Sequence, residues 1–125
     1  MKEFLHVAVI DDDETLCTAL AMFFETIGVT QCTIALNLAE LETKRAKIPQ
    51  IDVIFLDVNL GVNQPDGIFV YHWLINNGFT GRVIFMSGHA RSHPKIEEIQ
   101  KIAGTYFLQK PMPLKEIEAL VKGAS

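Results

Sequence analysis

The chain has 125 residues, 49% of them hydrophobic and 21% charged, with a net charge of -4. That length fits one domain over residues 1–125, large enough to bury a core without disulfide or metal staples. The acidic balance excludes a nucleic-acid-binding surface, which needs a basic face, and no apolar run approaches the length of a membrane span.

In chain order, Phe4 to Ile10 reads as a first strand, stopping at Asp11-Asp12-Asp13-Glu14. The start is too short and runs too soon into acid for a signal peptide, so a cytoplasmic protein is expected. Asp13 and Glu14 suit the first turn of a helix, and Leu16, Leu20, Phe23, Phe24 and Ile27 recur at helical spacing up to Gly28. Val29 to Ala35 alternates weakly and reads as a short second strand. Asn37 with Glu40 three later resembles a capping arrangement, and Leu38, Leu41 and Ile48 give a second helix its apolar face, ended by Pro49. Lys44-Arg45-Ala46-Lys47, the one basic cluster, is expected on a solvated helix face. Ile51 to Asp57 is an apolar run ending on a carboxylate, the pattern of a buried parallel strand.

Beyond the loop closing in Pro65-Asp66-Gly67, a third helix carries Ile68, Tyr71, Leu74 and Ile75 as its buried stripe and stops at Asn77-Gly78. Arg82 to Ser87 is a fourth strand. Ser92-His93-Pro94 opens a fourth helix with Ile96, Ile99 and Ile102 inward, stopped by Gly104. Thr105 to Gln109 is a fifth strand, followed by Lys110-Pro111. Pro113 starts a last helix with Leu114, Ile117, Leu120 and Val121 inward. Cys17 and Cys32 lie in apolar stretches without metal-ligand spacing and are expected to be free, buried thiols. Five strands alternating with five helices imply an α/β fold, a parallel sheet with right-handed crossovers and helices on both faces.

In a parallel sheet all carboxyl ends share one edge, and reactive groups of open α/β sheets gather there. That edge carries Asp11-Asp12-Asp13 after the first strand, Asp57 after the third, Ser87 after the fourth and Lys110 after the fifth. Singly, Asp57 and Ser87 read as turn residues and Lys110 as a surface residue. Together they form a coherent site. Clustered aspartates suit a hard divalent cation, Mg²⁺ foremost, and an ammonium with a hydroxyl can clamp a transferring phosphoryl group while one carboxylate acts as nucleophile.

This pattern resembles the response-regulator receiver domains of two-component signalling, over essentially the whole chain. The resemblance implies a flavodoxin-like, doubly wound sheet of order 2-1-3-4-5. It implies that Asp57 is the phosphoacceptor, that Asp11 and Asp12 form the acidic pair with Asp12 a direct Mg²⁺ ligand, and that the backbone carbonyl of Asn59 completes the metal shell. Ser87 and Lys110 would contact the phosphoryl group, and Phe107 falls where an aromatic rotamer switch sits. The domain would catalyse only its own phosphorylation by the phosphohistidine of a sensor histidine kinase or a phosphotransfer protein, and its own dephosphorylation. Asn59 and His89, each two residues past a site residue, are expected to flank the hydrolytic water and tune phosphoryl lifetime. Output is expected through the face of the fourth helix, fifth strand and fifth helix, around Ile96 to Lys101, Tyr106 and Lys115 to Ala119, with no direct nucleic-acid or membrane partner.

Four positions depart from the family pattern. Gly61 stands where proline is usual, Gly67 comes about two residues late in a longer loop, and Gly88 replaces the commoner alanine after the hydroxyl. Phe107 also lacks the hydroxyl of tyrosine, so a switch there works by burial alone.

A rival resemblance comes from haloacid-dehalogenase-type phosphatases, whose D-x-D-x-T motif is matched by Asp11, Asp13 and Thr15. There Asp11 would be nucleophile and Asp13 acid/base, with Ser87 and Lys110 as second and third motifs. That reading needs a further acidic strand-end group after Lys110, where only Glu116 and Glu118 follow, and it leaves Asp57 without a role. A binding-only receiver is disfavoured because no site residue is missing.

Overall fold

The computed structural model describes residues 5–88 and 93–124. Five parallel strands, β1 (His6–Ile10), β2 (Gln31–Ala35), β3 (Val53–Asp57), β4 (Arg82–Ser87) and β5 (Thr105–Gln109), form one sheet of order β2-β1-β3-β4-β5. Its helices are α1 (Glu14–Thr26), α2 (Leu38–Glu42), α3 (Gly67–Asn76), α4 (Pro94–Gln100) and α5 (Leu114–Lys122). The doubly wound α/β architecture and the strand order are those expected.

Alternation along the central strands sorts the core into two layers. Ala8, Ile10, Ile54, Leu56 and Phe85 face the layer completed by Leu41, Ile48, Leu74, Ile96 and Ile99. Val7, Val9, Val53, Phe55, Ile84 and Met86 face the layer of Leu20, Phe24, Ile117 and Val121. β1 and β3 are buried along their whole length, as near-continuous apolar runs between two helical layers should be.

Local signals explain most element ends. Asp13, Asn37 and Asp66 cap α1, α2 and α3, accepting from the backbone N–H of Leu16, Glu40 and Phe69. Glu40 reaches back to the Leu36 N–H at 2.8 Å, so the capping reading holds with its reciprocal bond shifted one residue upstream. His93 caps α4, with Pro94 in the first turn.

Four details differ from the sequence reading. The second helix is broken: α2 ends at Glu42, and Arg45–Gln50 form a separate 3-10 helix that contains Pro49. Proline lacks the N–H a continuous α-helix needs, whereas the tighter turn accommodates it. The basic cluster lies at this break, with Arg45 and Lys47 exposed while Lys44 donates to the Ile34 carbonyl. Ile75 is 45% exposed and Leu114 55% exposed, because Val70 and Leu74 in α3, and Ile117 and Val121 in α5, already fill the contact with the sheet. Cys17 is buried, but Cys32 sits on the edge strand and is only half-buried; both thiols are free.

Candidate functional site at the carboxyl edge of the sheet

The strand register assembles the site. Asp11 follows β1 and keeps the ladder by donating its N–H to the Ala35 carbonyl. Asp57 ends β3 opposite Met86, and Ser87 ends β4 opposite Gln109. Lys110 is the next residue; its N–H donates to the Ser87 carbonyl at 2.7 Å, and the Lys110–Pro111 peptide that follows is cis. The ladder thus carries groups from four strands to one edge.

Lys110 Nζ lies 2.7 Å from Asp11 Oδ2 and 3.6 Å from Asp57 Oδ2. Asp11 is buried, and its Oδ1 accepts from the Asp13 N–H at 2.9 Å. The buried Cys17 thiol donates to the Asp11 carbonyl at 3.4 Å, fixing the start of this turn. Burial, with the Asp11 and Asp13 charges adding, pushes that thiol up to about 12, so it serves as packing. Asp12 is exposed, and carboxylate oxygens of Asp11, Asp12 and Asp57 lie within 4.8 Å of one another.

Three carboxylates face one ammonium. Burial, then the charge of Asp11, push the Asp57 carboxyl up to about 7; Lys110 and the Asn59 N–H oppose this and Asp12 adds to it. Burial pulls Lys110 down, yet its hydrogen bond to Asp11 and the charges of Asp57 and Asp11 outweigh burial and hold it above its ordinary value. This uncompensated negative charge, in an all-oxygen donor set open on the Asp12 side, fits a hard divalent cation.

The remaining expected residues are placed less uniformly. Asn59 is exposed; its N–H makes a long 3.4 Å bond to Asp57 Oδ1, and its side-chain oxygen accepts from the Gly61 N–H at 3.1 Å. Ser87 is buried at the site. Phe107 is 8% exposed and packs in the core layer beside Phe85, its partner in the ladder, so its ring points inward here. Tyr106 is exposed, with the Arg82 guanidinium 4.6 Å over its ring. On the anticipated output face Ile96, Ile99 and Ile117 are buried, leaving Glu97, Glu98, Gln100, Lys101, Lys115, Glu116 and Ala119 exposed. His89 lies outside the described residues. A Cβ on Gly88 would meet nothing within 4 Å among the described residues.

Asp13, the rival motif's acid/base, is exposed and spent on capping α1. Glu118 pairs with Lys122 on α5, and among the described residues neither it nor Glu116 joins the acidic cluster.

The sequence reading missed two supports of the site. Gly67 donates its N–H to the Val58 carbonyl at 2.8 Å, and a Cβ there would fall 2.4 Å from the Asp57 carbonyl oxygen. Only a glycine lets α3 start this close to the strand end, and glycine directly after a capping aspartate was the available signal. Asp66 caps α3 with Oδ1 and accepts from Lys95 Nζ with Oδ2 at 2.9 Å, tying the long loop to α4.

A family model described as the response regulator receiver domain matches residues 7–122. The tetrathionate response regulatory protein TtrR of Salmonella typhimurium is 31% identical over 121 residues, covering 94% of this chain and 55% of that protein. The chain therefore spans about half the length of this curated relative. A two-component response regulator from Clostridium difficile is similar in structure with a TM-score of 0.82 at 26% identity, over 96% of this chain and 94% of the other. The chemotaxis protein CheY4 of Vibrio cholerae gives a TM-score of 0.79 at 18% identity, over 98% and 99% of the two chains, a likeness of fold.

Proposed function

The chain belongs to the response regulator receiver domain family, and on that premise we propose that it is a phosphoacceptor switch in which Asp57 takes a phosphoryl group from a phosphohistidine donor, either a sensor histidine kinase or a phosphotransfer protein. The observation that carries this reading is Lys110, whose ammonium lies 2.7 Å from Asp11 and 3.6 Å from Asp57 at the strand ends. It marks the point where anionic phosphoryl oxygens would be held.

Mg²⁺ would be held by Asp11, Asp12 and Asp57 with the Asn59 backbone carbonyl, and when bound it supplies positive charge to the carboxylates and the phosphoryl oxygens. One Asp57 oxygen attacks phosphorus in line as the bond from phosphorus to the donor nitrogen breaks, and the imidazole leaves with that electron pair. Lys110 and the Ser87 hydroxyl donate to phosphoryl oxygens. Asp11 accepts from Lys110 and from the Asp13 N–H, which keeps the ammonium aimed. Water later attacks phosphorus, releasing phosphate and restoring the carboxylate, at a rate that Asn59 and His89 are expected to tune.

The phosphoryl group adds about -1.5 to -2 charges and biases a two-state surface. Ser87 drawn toward it changes the space beside β5, and the Phe107 ring, already buried here, changes its packing in response. The output partner meets the face of α4, β5 and α5.

The test is labelling with a small phosphodonor and Mg²⁺. Asp57→Asn abolishes labelling and Asp11→Asn only weakens it. Stable label on Asp11 would instead establish the phosphatase chemistry.

A further inference from the structure

We propose that the outward face of α3 is a self-association surface, on which the same face of a second copy of this chain packs antiparallel. α3 is apolar on nearly every side. Val70 and Leu74 fill its contact with the sheet, yet among the described residues Phe69 is 56% and Ile75 45% exposed on the outward side. Phe69, His72, Trp73 and Asn76 form the outer stripe at helical spacing, with Ile68 and Ile75 along one flank. The His72 ring lies edge-on to Tyr71 at 5.3 Å, so rings and aliphatic side chains run together across the face. A helix that is apolar all round is normally covered all round. A single exposed apolar side chain such as Met22 on α1 needs no such cover.

Charge identifies the occupant. In a two-fold contact a patch meets its own copy, so a charge on it faces a like charge unless the patch also carries the opposite sign. The stretch from Gly67 to Gly81 holds no Asp, Glu, Lys or Arg, in a chain of net charge -4 with 21% charged residues. By contrast, α1, α2, α4 and α5 each carry two glutamates. Two acidic copies can therefore meet through α3 without setting like charges against each other. A different protein selected by electrostatic complementarity would need charges to read on this face, and α3 has none. Antiparallel packing opposes the two helix dipoles. The outer stripe has its midpoint between His72 and Trp73, so those two side chains lie nearest the two-fold axis. With 10 residues, α3 is about 15 Å long and, with side chains, about 10 Å wide. Its contact falls short of the roughly 800 Å² per partner of a standard interface, so the pair is weak and reversible.

The test is sedimentation equilibrium, Trp73 fluorescence and dilution NMR on the intact chain in EDTA, from about 10 μM to about 2 mM, a range that brackets a weak contact of this size. Trp73, the single tryptophan of the chain, is half-buried on this face and reports on it directly. The weight-average mass is expected to rise toward that of a dimer with concentration. Trp73 emission should move to shorter wavelength, and the α3 amides should shift. Phe69→Lys puts a charge of the same sign on both copies and should weaken association at least about tenfold, with circular dichroism unchanged because the side chain is exposed. Ile75→Lys should act in the same direction, and it decides the matter if Phe69→Lys disturbs the fold. Met22→Lys, at a side chain 64% exposed on α1, leaves association at the parent value. A chain that stays monomeric at the top of the range overturns the proposal and assigns the face to another occupant. Association that survives the α3 substitutions, or that Met22→Lys weakens equally, overturns it too. So do dilution shifts on α4, β5 and α5 with none on α3.

Discussion

Replacing Asp57 by asparagine should stabilise the metal-free protein at neutral pH while abolishing its chemistry. The folded Asp57 carboxyl titrates at about 7 against an ordinary value of 3.8, first because it is buried and next because Asp11 lies beside it. Between those values the folded state binds the proton more tightly than the unfolded chain. Stability therefore falls as pH rises through that window, and the whole penalty is present above about pH 7. A displacement of this size corresponds to a ceiling of about 4 kcal/mol. Asparagine also forfeits the Lys110 contact at 3.6 Å, though Lys110 keeps Asp11 at 2.7 Å. Lys110 itself is raised, so its own titration lies above the window and does not offset the trend. A net gain of roughly 1–3 kcal/mol at pH 8 remains, or on the order of 3–10 °C for a domain of this size. The assay is thermal unfolding of both proteins from pH 4 to 8, in EDTA and in Mg²⁺. The two curves should converge at low pH and separate with rising pH in EDTA. Mg²⁺ should raise the parent more than the variant. A parent whose stability is flat from pH 4 to 8 in EDTA, or a variant less stable than the parent at pH 8, would refute the electrostatic account of the cluster.

Asp12→Ala removes an exposed cleft charge and no packing, so calorimetry should show lost Mg²⁺ affinity while circular dichroism is unchanged and the metal-free melting temperature holds or rises. Gly67→Ala drives a Cβ into the Asp57 carbonyl oxygen, and backbone must move; chemical denaturation should show a loss of about 1–3 kcal/mol, with slower labelling of Asp57 because the strand end shifts. For the switch, NMR with a phosphoryl mimic and Mg²⁺ should shift Phe107 and the exposed residues of α4 along with the Asp57 loop. Shifts confined to the loop would refute the coupling and leave the phosphorylation site standing.

How much of this was legible in the sequence follows from the range over which each signal acts. Strands, helices and caps are local. The apolar run ending at Asp57, the helical spacing of Leu20 and Phe24, and Asn37 with Glu40 each depend on residues within a turn or two. The site was legible for a topological reason: parallel strands put all their carboxyl ends on one edge, so Asp11, Asp57, Ser87 and Lys110 could be grouped before any distance was known.

Contact and exposure were not legible, because they depend on what faces a residue across the fold. Periodicity placed Ile75 and Leu114 on apolar stripes, but neighbouring side chains had already filled the space against the sheet. Pro49 marked a stop without showing that α2 ends seven residues earlier and a 3-10 helix follows. The ammonium of Lys110 meets Asp11 across 99 residues of chain, and Gly67 is needed only because the Asp57 carbonyl lies where its side chain would be. Residue order along the chain determined which groups arrive at the edge. Inter-strand hydrogen bonds and close packing, which join distant segments, decided which of them touch.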